Sequence, residues 1–290
     1  NPDALLITLG TIAGNMLTGS NIWTMLVGSS ASGKTLMLEC CYKLAAPDGV
    51  RDDALRRIHI SGAIRSPGAL LSGTGRKEMA KDATGGLLRQ IGPRGIILVK
   101  DFTSILALPR EILNETIAAF RDTFDGLYVR PVGSDGGRTL TWKGRLGVLG
   151  AVTPEIDRHS KAIADMGERW LYWRFEENDG YGATIKALEM GDQEATLEVL
   201  QELVLEFMVS TGLSWTSAEQ RRALPTHEQM RLYTMASFVS SARSSVPRER
   251  FEISDIASRE SPPRIANQLA QLYLGLERIG VGVAAERWRL

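Results

Sequence analysis

The chain has 290 residues, of which 43% are hydrophobic, and its 34 basic and 34 acidic residues give a formal net charge of zero. This length fits one large domain or two linked ones, and the charge balance excludes a global positive field, so any nucleic-acid contact requires a local patch. No apolar stretch approaches the ~18 residues that span a bilayer, no export signal precedes the first helix, and the only cysteines are the neighbours Cys40 and Cys41. These features predict a reduced, cytoplasmic protein without membrane contact.

The first hundred residues alternate helical periodicity with short apolar runs. Leu5, Leu9, Ile12 and Met16 recur on one helical face, and the run over 95–99 is typical of a strand covered on both faces. In chain order the pattern predicts a helix over 3–18, a strand over 22–27, a helix over 34–45, a strand over 57–60, a helix near 76–90 and a strand over 95–101.

The alternation continues to about residue 178, after which helical periodicity dominates. The predicted elements are a helix over 109–124, a β-hairpin over 127–145, and strands over 146–152 and 170–175. Strands that alternate with helices indicate a parallel sheet between two helical layers. We therefore predict an α/β fold with a three-layer αβα core. The predicted segments are an N-terminal linker helix over 1–20, the core over 21–178, and a smaller, all-helical lid domain over 179–290.

The apolar run that ends at Val27 leads into a phosphate-binding loop pattern. Its residues are Gly28, Ser29, Ser30, Ala31, Ser32, Gly33, Lys34 and Thr35. Glycines in such a loop let successive N–H groups point at phosphate oxygens, and the following helix adds its positive end. Lys34 is expected to reach the β and γ phosphates, and the Thr35 hydroxyl to bind Mg²⁺. The pattern predicts a P-loop NTPase.

A carboxylate follows the apolar strand over 95–99. Asp101 is expected to lie beside the phosphate loop and to hold Mg²⁺, directly or through water. Phe102 follows it, where many P-loop ATPases carry a glutamate that orients the attacking water. The general base is therefore open among Glu39, Glu111 and Asp125, and weak or partner-dependent hydrolysis is one alternative.

The order of these features resembles the AAA+ ATPases over most of the chain. The segment 125–153 is similar to the hairpin that precedes sensor 1 in minichromosome-maintenance helicases and bacterial enhancer-binding activators. The resemblance implies that Thr153 is sensor 1, where Asn is more frequent, and that Arg264 is the sensor-2 arginine. It also implies that Arg169 is an arginine finger, a role for which Arg158 and Arg174 are the weaker candidates. It also implies ATP rather than GTP as the nucleotide, and a homo-oligomer, a hexameric ring, with ATP between subunits.

The predicted hairpin is the local basic patch. Basic and aromatic side chains lie interleaved there, which suits phosphates and stacked bases; they are Arg130, Arg138, Lys143 and Arg145, with Tyr128 and Trp142. We predict contact with DNA through these four cations. The expected function is an ATP-hydrolysing motor on DNA, similar to a helicase of a replication or mobile-element system.

Two other functions stay open at the level of the sequence. A remodeller of a protein partner is disfavoured because the activators' Gly-Ala-Phe loop is missing, the comparable region being Ser61-Gly62-Ala63-Ile64. A nucleotide-binding switch that hydrolyses ATP poorly is suggested by Phe102. A small-molecule kinase is less consistent with the long helical segment that follows the core.

Overall fold

The computed structural model describes residues 1–45, 57–72, 85–133, 137–159, 169–176, 185, 193–216, 219–243, 248–249, 252–253 and 261–290. The helices are α1 (Pro2–Met16), α2 (Lys34–Glu39), α3 (Tyr42–Ala45), α4 (Pro67–Leu70), α5 (Leu87–Ile91), α6 (Thr103–Leu106), α7 (Arg110–Phe124), α8 (Gln193–Ser210), α9 (Thr226–Arg243), α10 (Pro263–Arg278) and α11 (Ala284–Arg289). The strands are β1 (Trp23–Val27), β2 (Ile58–Ser61), β3 (Arg94–Val99), β4 (Leu127–Val132), β5 (Arg138–Lys143), β6 (Arg145–Val152), β7 (Leu171–Arg174), β8 (Arg248–Glu249) and β9 (Glu252–Ile253). A 3₁₀ helix covers Pro154–His159.

Five strands form one parallel sheet in the order β2-β3-β6-β1-β7. β1 is therefore flanked by β6 and β7, and its last residue, Val27, is level with Val152 on one side and Arg174 on the other. Because all five strands run in the same direction, their carboxyl ends share one edge of the sheet and their amino ends share the other. These two edges are called the carboxyl edge and the amino edge below.

Helices cover both faces of the sheet. On one face a hydrophobic cluster joins Leu26, Leu98 and Leu149 to α1, α2 and α10. On the other face a second cluster joins Val27, Val99 and Val152 to α6, α7 and the β4–β5 hairpin. Successive side chains of β1, β3 and β6 point to opposite faces of the sheet and so belong to different clusters. The predicted α/β architecture with a parallel sheet is confirmed.

The N-terminal helix is fixed to the sheet by buried polar groups. Asn15 donates from Nδ2 to the carbonyls of Thr11 and Ile22, and its Oδ1 accepts from the Ile22 N–H at 3.0 Å. Thr11 and Thr24 share a further hydrogen bond of 3.2 Å between their hydroxyls. These bonds satisfy the backbone of the residue that precedes β1, where an unpaired buried group would cost about 1–3 kcal/mol.

The C-terminal helix α10 lies along α1. A side chain on Gly275 would put its Cβ 2.2 Å from the Gly10 carbonyl oxygen and 2.6 Å from the Gly14 nitrogen. Gln268 Oε1 accepts from the Trp23 N–H at 3.0 Å, and Gln271 donates to the Gly14 carbonyl at 2.8 Å. Contacts therefore run directly between the predicted linker helix, the core and the final segment.

Several predicted elements have different bounds. The helix over 34–45 is two short helices, because Cys41 and Leu44 donate to carbonyls three residues back and tighten the turn between them. Cys40 and Cys41 are buried there. The final segment also contains the β8–β9 pair, although helices alone were expected. Most of the helix near 76–90 and residues 134–136 of the hairpin turn lie outside the described residues.

Across the described parts of the chain, no helix combines the length and the apolar character that crossing a membrane requires.

Candidate functional site

Residues 28–33 connect β1 to α2 at the carboxyl edge. Ala31 has φ 63° and is the one non-glycine residue with positive φ in the described part of the chain, and Gly33 has φ 88°. Left-handed conformations at alternate positions curve the backbone so that its N–H groups converge on one concave side. Side chains rarely adopt such φ values, which explains the glycine at 33.

Gly28 is required for a different reason, which is close packing. A Cβ at this position would lie 2.6 Å from Ser32 Oγ and 3.1 Å from Phe175 Cβ. The Gly28 N–H donates to the Val152 carbonyl at 3.2 Å and the Phe175 N–H donates to the Val27 carbonyl at 2.8 Å, so the loop begins between two neighbouring strands. The parallel sheet thus determines where the loop starts.

The Lys34 ammonium lies inside the loop. Nζ donates to the Gly28 carbonyl at 2.7 Å, to the Ser29 carbonyl and to Ser32 Oγ at 3.3 Å. Only 8% of the residue is exposed, and burial lowers the pKa of its amine. No carboxylate of the described residues lies within ion-pair distance of Nζ. A buried positive charge held only by neutral oxygens favours an incoming anion.

Four residues of the loop pattern face solvent. Ser29, Ser30, Ala31 and Thr35 are exposed, so a ligand has access to the concave side and to the Thr35 hydroxyl. The site fits a phosphate chain, because a curved backbone and an uncompensated ammonium converge there. Oxygen donors from Thr35 and Asp101 are of the type that Mg²⁺ accepts.

Asp101 lies on the same edge but two strands away from β1. Two strand spacings are about 10 Å. The carboxylate is exposed and accepts hydrogen bonds from the Ser104 N–H at 3.1 Å and from the Ser104 hydroxyl, at the start of α6. The structure therefore brings Asp101 to the edge that carries the loop, and in this conformation its oxygens bind α6.

Phe102 is directed into the core. It is 1% exposed and packs against Phe120 and Trp170, with ring centroids 6.1 and 5.3 Å away. The position after Asp101 is thus part of an aromatic cluster and does not face the loop. This explains in physical terms why a glutamate is not accommodated there.

Thr153, the residue predicted as sensor 1, follows β6 and so lies between the loop and Asp101. Its N–H donates to Thr103 Oγ1 at 3.1 Å, and the two hydroxyls are 3.4 Å apart. The half-buried hydroxyl is held by α6 rather than by a charged group. The sheet order gives Thr153 a central position on this edge.

Of the three candidate bases, two are bound by cations and one faces solvent. Glu39, at the end of α2, binds Lys100 Nζ at 3.2 Å. Glu111 is exposed in the first turn of α7. Asp125 follows the last residue of α7, at the amino edge, and its carboxylate accepts from Arg169 at 2.9 Å.

Sequence reasoning missed one ion pair at the carboxyl edge. Arg174, at the end of β7, donates to both oxygens of Asp157 in the 3₁₀ helix, at 2.7 and 3.0 Å. This bond raises the pKa of the Arg174 guanidinium. Because β6 and β7 flank β1, the pair connects the two sides of the strand that leads into the loop. The pair could not be predicted from sequence spacing, because Asp157 follows β6 and Arg174 ends β7.

The two other predicted arginines are not beside the loop. Arg169 is 8% exposed, pairs with Asp125 and stacks at 5.5 Å from the centre of the Phe124 ring. Arg264, in the first turn of α10, lines a cleft with Asn21, which precedes β1. The length of β1, about 15 Å, separates that cleft from residues 28–35. Their assignments as finger and sensor 2 stay predictions.

The hairpin has a buried face and an exposed face. Tyr128 and Trp142 are directly opposite each other, are 5% and 6% exposed, and pack against the core, so neither ring faces solvent for base stacking. Arg130 donates to the Leu71 carbonyl. Arg138 and Lys143 are exposed at opposite ends of β5. The aromatic part of the DNA prediction is therefore not supported by the geometry.

Arg145 is at the amino edge, level with Arg94 on the neighbouring strand. Arg145 donates to the carbonyls of Leu17 and Ser20 at 3.0 and 2.9 Å, and Arg94 donates to the Met16 carbonyl at 2.6 Å. Burial and the nearby Arg94 charge lower the pKa of Arg145 to about 10. These arginines cap the end of α1, where cations stabilise a helix, a role that the sequence did not indicate.

Comparison with known proteins adds no relative: no protein-family model matches the chain, and no curated protein matches it.

Proposed function

We propose that the chain binds the triphosphate of ATP at residues 28–35 and hydrolyses it as an AAA+ type motor that acts on DNA. The observation that carries the proposal is the Lys34 ammonium, enclosed by the loop and held only by neutral oxygens. A phosphate oxygen that replaces the Gly28 and Ser29 carbonyls as its partner gains a charge-assisted bond. The positive φ at Ala31 and Gly33 presents backbone N–H groups for the other oxygens.

The chain's own residues divide the remaining work between them. Thr35 and Asp101 would hold Mg²⁺, which neutralises charge on the β and γ phosphates when bound. Thr153, between them on the carboxyl edge, supplies a hydroxyl that can hydrogen-bond a phosphate or a water. A homo-oligomer with ATP between subunits belongs to the same proposal, because the resemblance to the AAA+ ATPases implies it.

The test is ATP turnover by the purified chain, alone and with single-stranded or double-stranded DNA, for the wild type and Lys34→Ala. We expect DNA to raise turnover several-fold and Lys34→Ala to abolish it. The matched control is Lys43→Ala, which removes the same charge from α3, where Lys43 pairs with Glu202. Turnover that DNA leaves unchanged would contradict the motor.

A second candidate is a nucleotide-binding switch with negligible hydrolysis. The burial of Phe102 and the bonds between Asp101 and Ser104 favour it, since an apolar ring occupies the position after Asp101 and the Asp101 oxygens are bound to α6. It predicts ATP binding that Lys34→Ala removes, with no turnover under any condition. Size-exclusion chromatography with ATP distinguishes the two candidates further, because the motor requires an assembled ring.

A further inference from the structure

A second positively charged feature lies at the amino edge, away from residues 28–35. It is a cleft of about 680 Å³ between the base of the hairpin and the start of α10. Lys143 and Arg145 contribute from the hairpin side, and Arg264 and Asn267 from the first two turns of α10. Asn21 closes it near the start of β1. The cleft shares no residue with the loop that is proposed to bind ATP.

Among the described residues, the cations of the cleft outnumber its acids. Asp125 is the one acidic residue in this part of the chain that lines the cleft, and it is already bound by Arg169. Lys143 and Arg264 are exposed, and neither side chain has a hydrogen-bond or ion-pair partner in the described part of the chain. Arg145 is held by backbone carbonyls, which neutralise none of its formal charge. Three positive charges that no further carboxylate of the described residues offsets create a potential that attracts anions.

The helix geometry adds to this charge. α10 has 16 residues, and its first two turns carry Arg264 and Asn267 into the cleft. The amino end of a helix of this length carries partial positive charge. A cation from the hairpin and a cation from α10 therefore face the same space, and the amide of Asn267 supplies a neutral donor of the kind that contacts phosphate and sugar oxygens.

We infer that this cleft binds phosphate groups through Lys143 and Arg264, and that these phosphates belong to a nucleic-acid backbone. The identity of the ligand rests on the proposed function, in which the chain acts on DNA. The hairpin then contacts the nucleic acid through the end at which Lys143 lies. Its aromatic side chains do not take part, because Tyr128 and Trp142 are buried. Arg138, at the far end of β5, lies outside the site. The same chemistry would also accept the phosphates of a free polyphosphate.

The first experiment measures the affinity of a fluorescently labelled oligonucleotide, single-stranded and double-stranded, by anisotropy over a salt series. The variants are Lys143→Gln and Arg264→Gln, and Arg110→Gln is the control because Arg110 is exposed at the start of α7, away from the cleft. We expect each cleft variant to lower the affinity about three- to fivefold and to reduce the salt slope by about 0.7 to 0.9, as for one lost phosphate contact. Lys143→Arg is expected to retain binding.

The second experiment titrates inorganic tripolyphosphate into the Lys34→Ala background, so that residues 28–35 do not contribute.

The two experiments together separate the possible outcomes. Oligonucleotide affinity that is equal in the wild type, Lys143→Gln and Arg264→Gln would overturn the inference and leave the proposed function standing. Absence of oligonucleotide binding, together with tripolyphosphate binding that both cleft variants weaken, would retain a free-phosphate site and contradict action on DNA. Absence of both would overturn the site itself. Circular dichroism of each variant verifies that it is folded.

Discussion

At the carboxyl edge of the sheet, the ammonium group of Lys34 is buried within a backbone loop. At the amino edge, the basic side chains either donate to carbonyls at the end of α1 or face solvent. Lys34 takes its three bonds from the loop itself, and a ligand can replace them. Arg94 and Arg145 instead bind carbonyls at the end of α1 and so hold the scaffold. Some basic residues therefore stabilise the fold and others are available to a ligand. The number of charged residues in the sequence does not distinguish the two kinds.

The largest expected change in the free energy of unfolding comes from the aromatic cluster near the carboxyl edge. Phe102→Ala removes a ring that is 1% exposed between Phe120 and Trp170. We expect a loss of about 3–5 kcal/mol in the free energy of unfolding, measured by denaturant titration. Phe238→Ala, at a side chain that is 73% exposed, is the control and should change it by less than about 0.5 kcal/mol. Equal effects would contradict the aromatic cluster.

The contact between α1 and α10 gives the next effect and concerns the scaffold behind the amino edge. Gly275→Ala would place its Cβ 2.2 Å from the Gly10 carbonyl oxygen, so the two helices must separate. We expect a loss of about 1–3 kcal/mol in unfolding free energy. Gly282→Ala meets no atom closer than 3.9 Å and serves as the matched control. A harmless Gly275→Ala would mean that α10 does not belong to the same packed unit as α1.

The smallest effect is backbone strain in the loop. Gly33→Ala meets no atom within 4 Å but places a side chain at φ 88°, which costs about 1–2 kcal/mol. Ala31→Gly relieves strain at φ 63°. It also raises the conformational entropy of the unfolded chain, which lowers stability by about 0.5–1 kcal/mol, so the net change in the free energy of unfolding should be near zero. Both are measured by thermal unfolding. The opposite ranking would contradict the curved loop conformation.

The sequence predicted the parallel sheet, the hairpin and the loop because each has a local signature. Strand periodicity, the glycines at 28 and 33, and the apolar run before Asp101 can all be read within a few neighbouring residues. The predicted elements therefore match the observed ones to within a few residues over most of the described core.

The long-range contacts could not be predicted in this way. The pairing of Arg174 with Asp157, the capping of α1 by Arg94 and Arg145, and the cleft near Arg264 all depend on which strands become neighbours. Interleaved basic and aromatic residues in the hairpin suggested base stacking, but strand alternation directs Tyr128 and Trp142 inward. A one-dimensional pattern gives the residue types of a patch and not the side on which each one lies.

The central claim is that residues 28–35 bind the phosphates of a nucleotide through Lys34. The most direct measurement is calorimetric titration of ATP with Mg²⁺ into the wild type, Lys34→Ala and Lys43→Ala. We predict that the wild type and Lys43→Ala bind with equal affinity and that Lys34→Ala loses at least about tenfold, equivalent to about 1.4 kcal/mol. Equal binding by all three proteins, or no binding by the wild type, would contradict the claim.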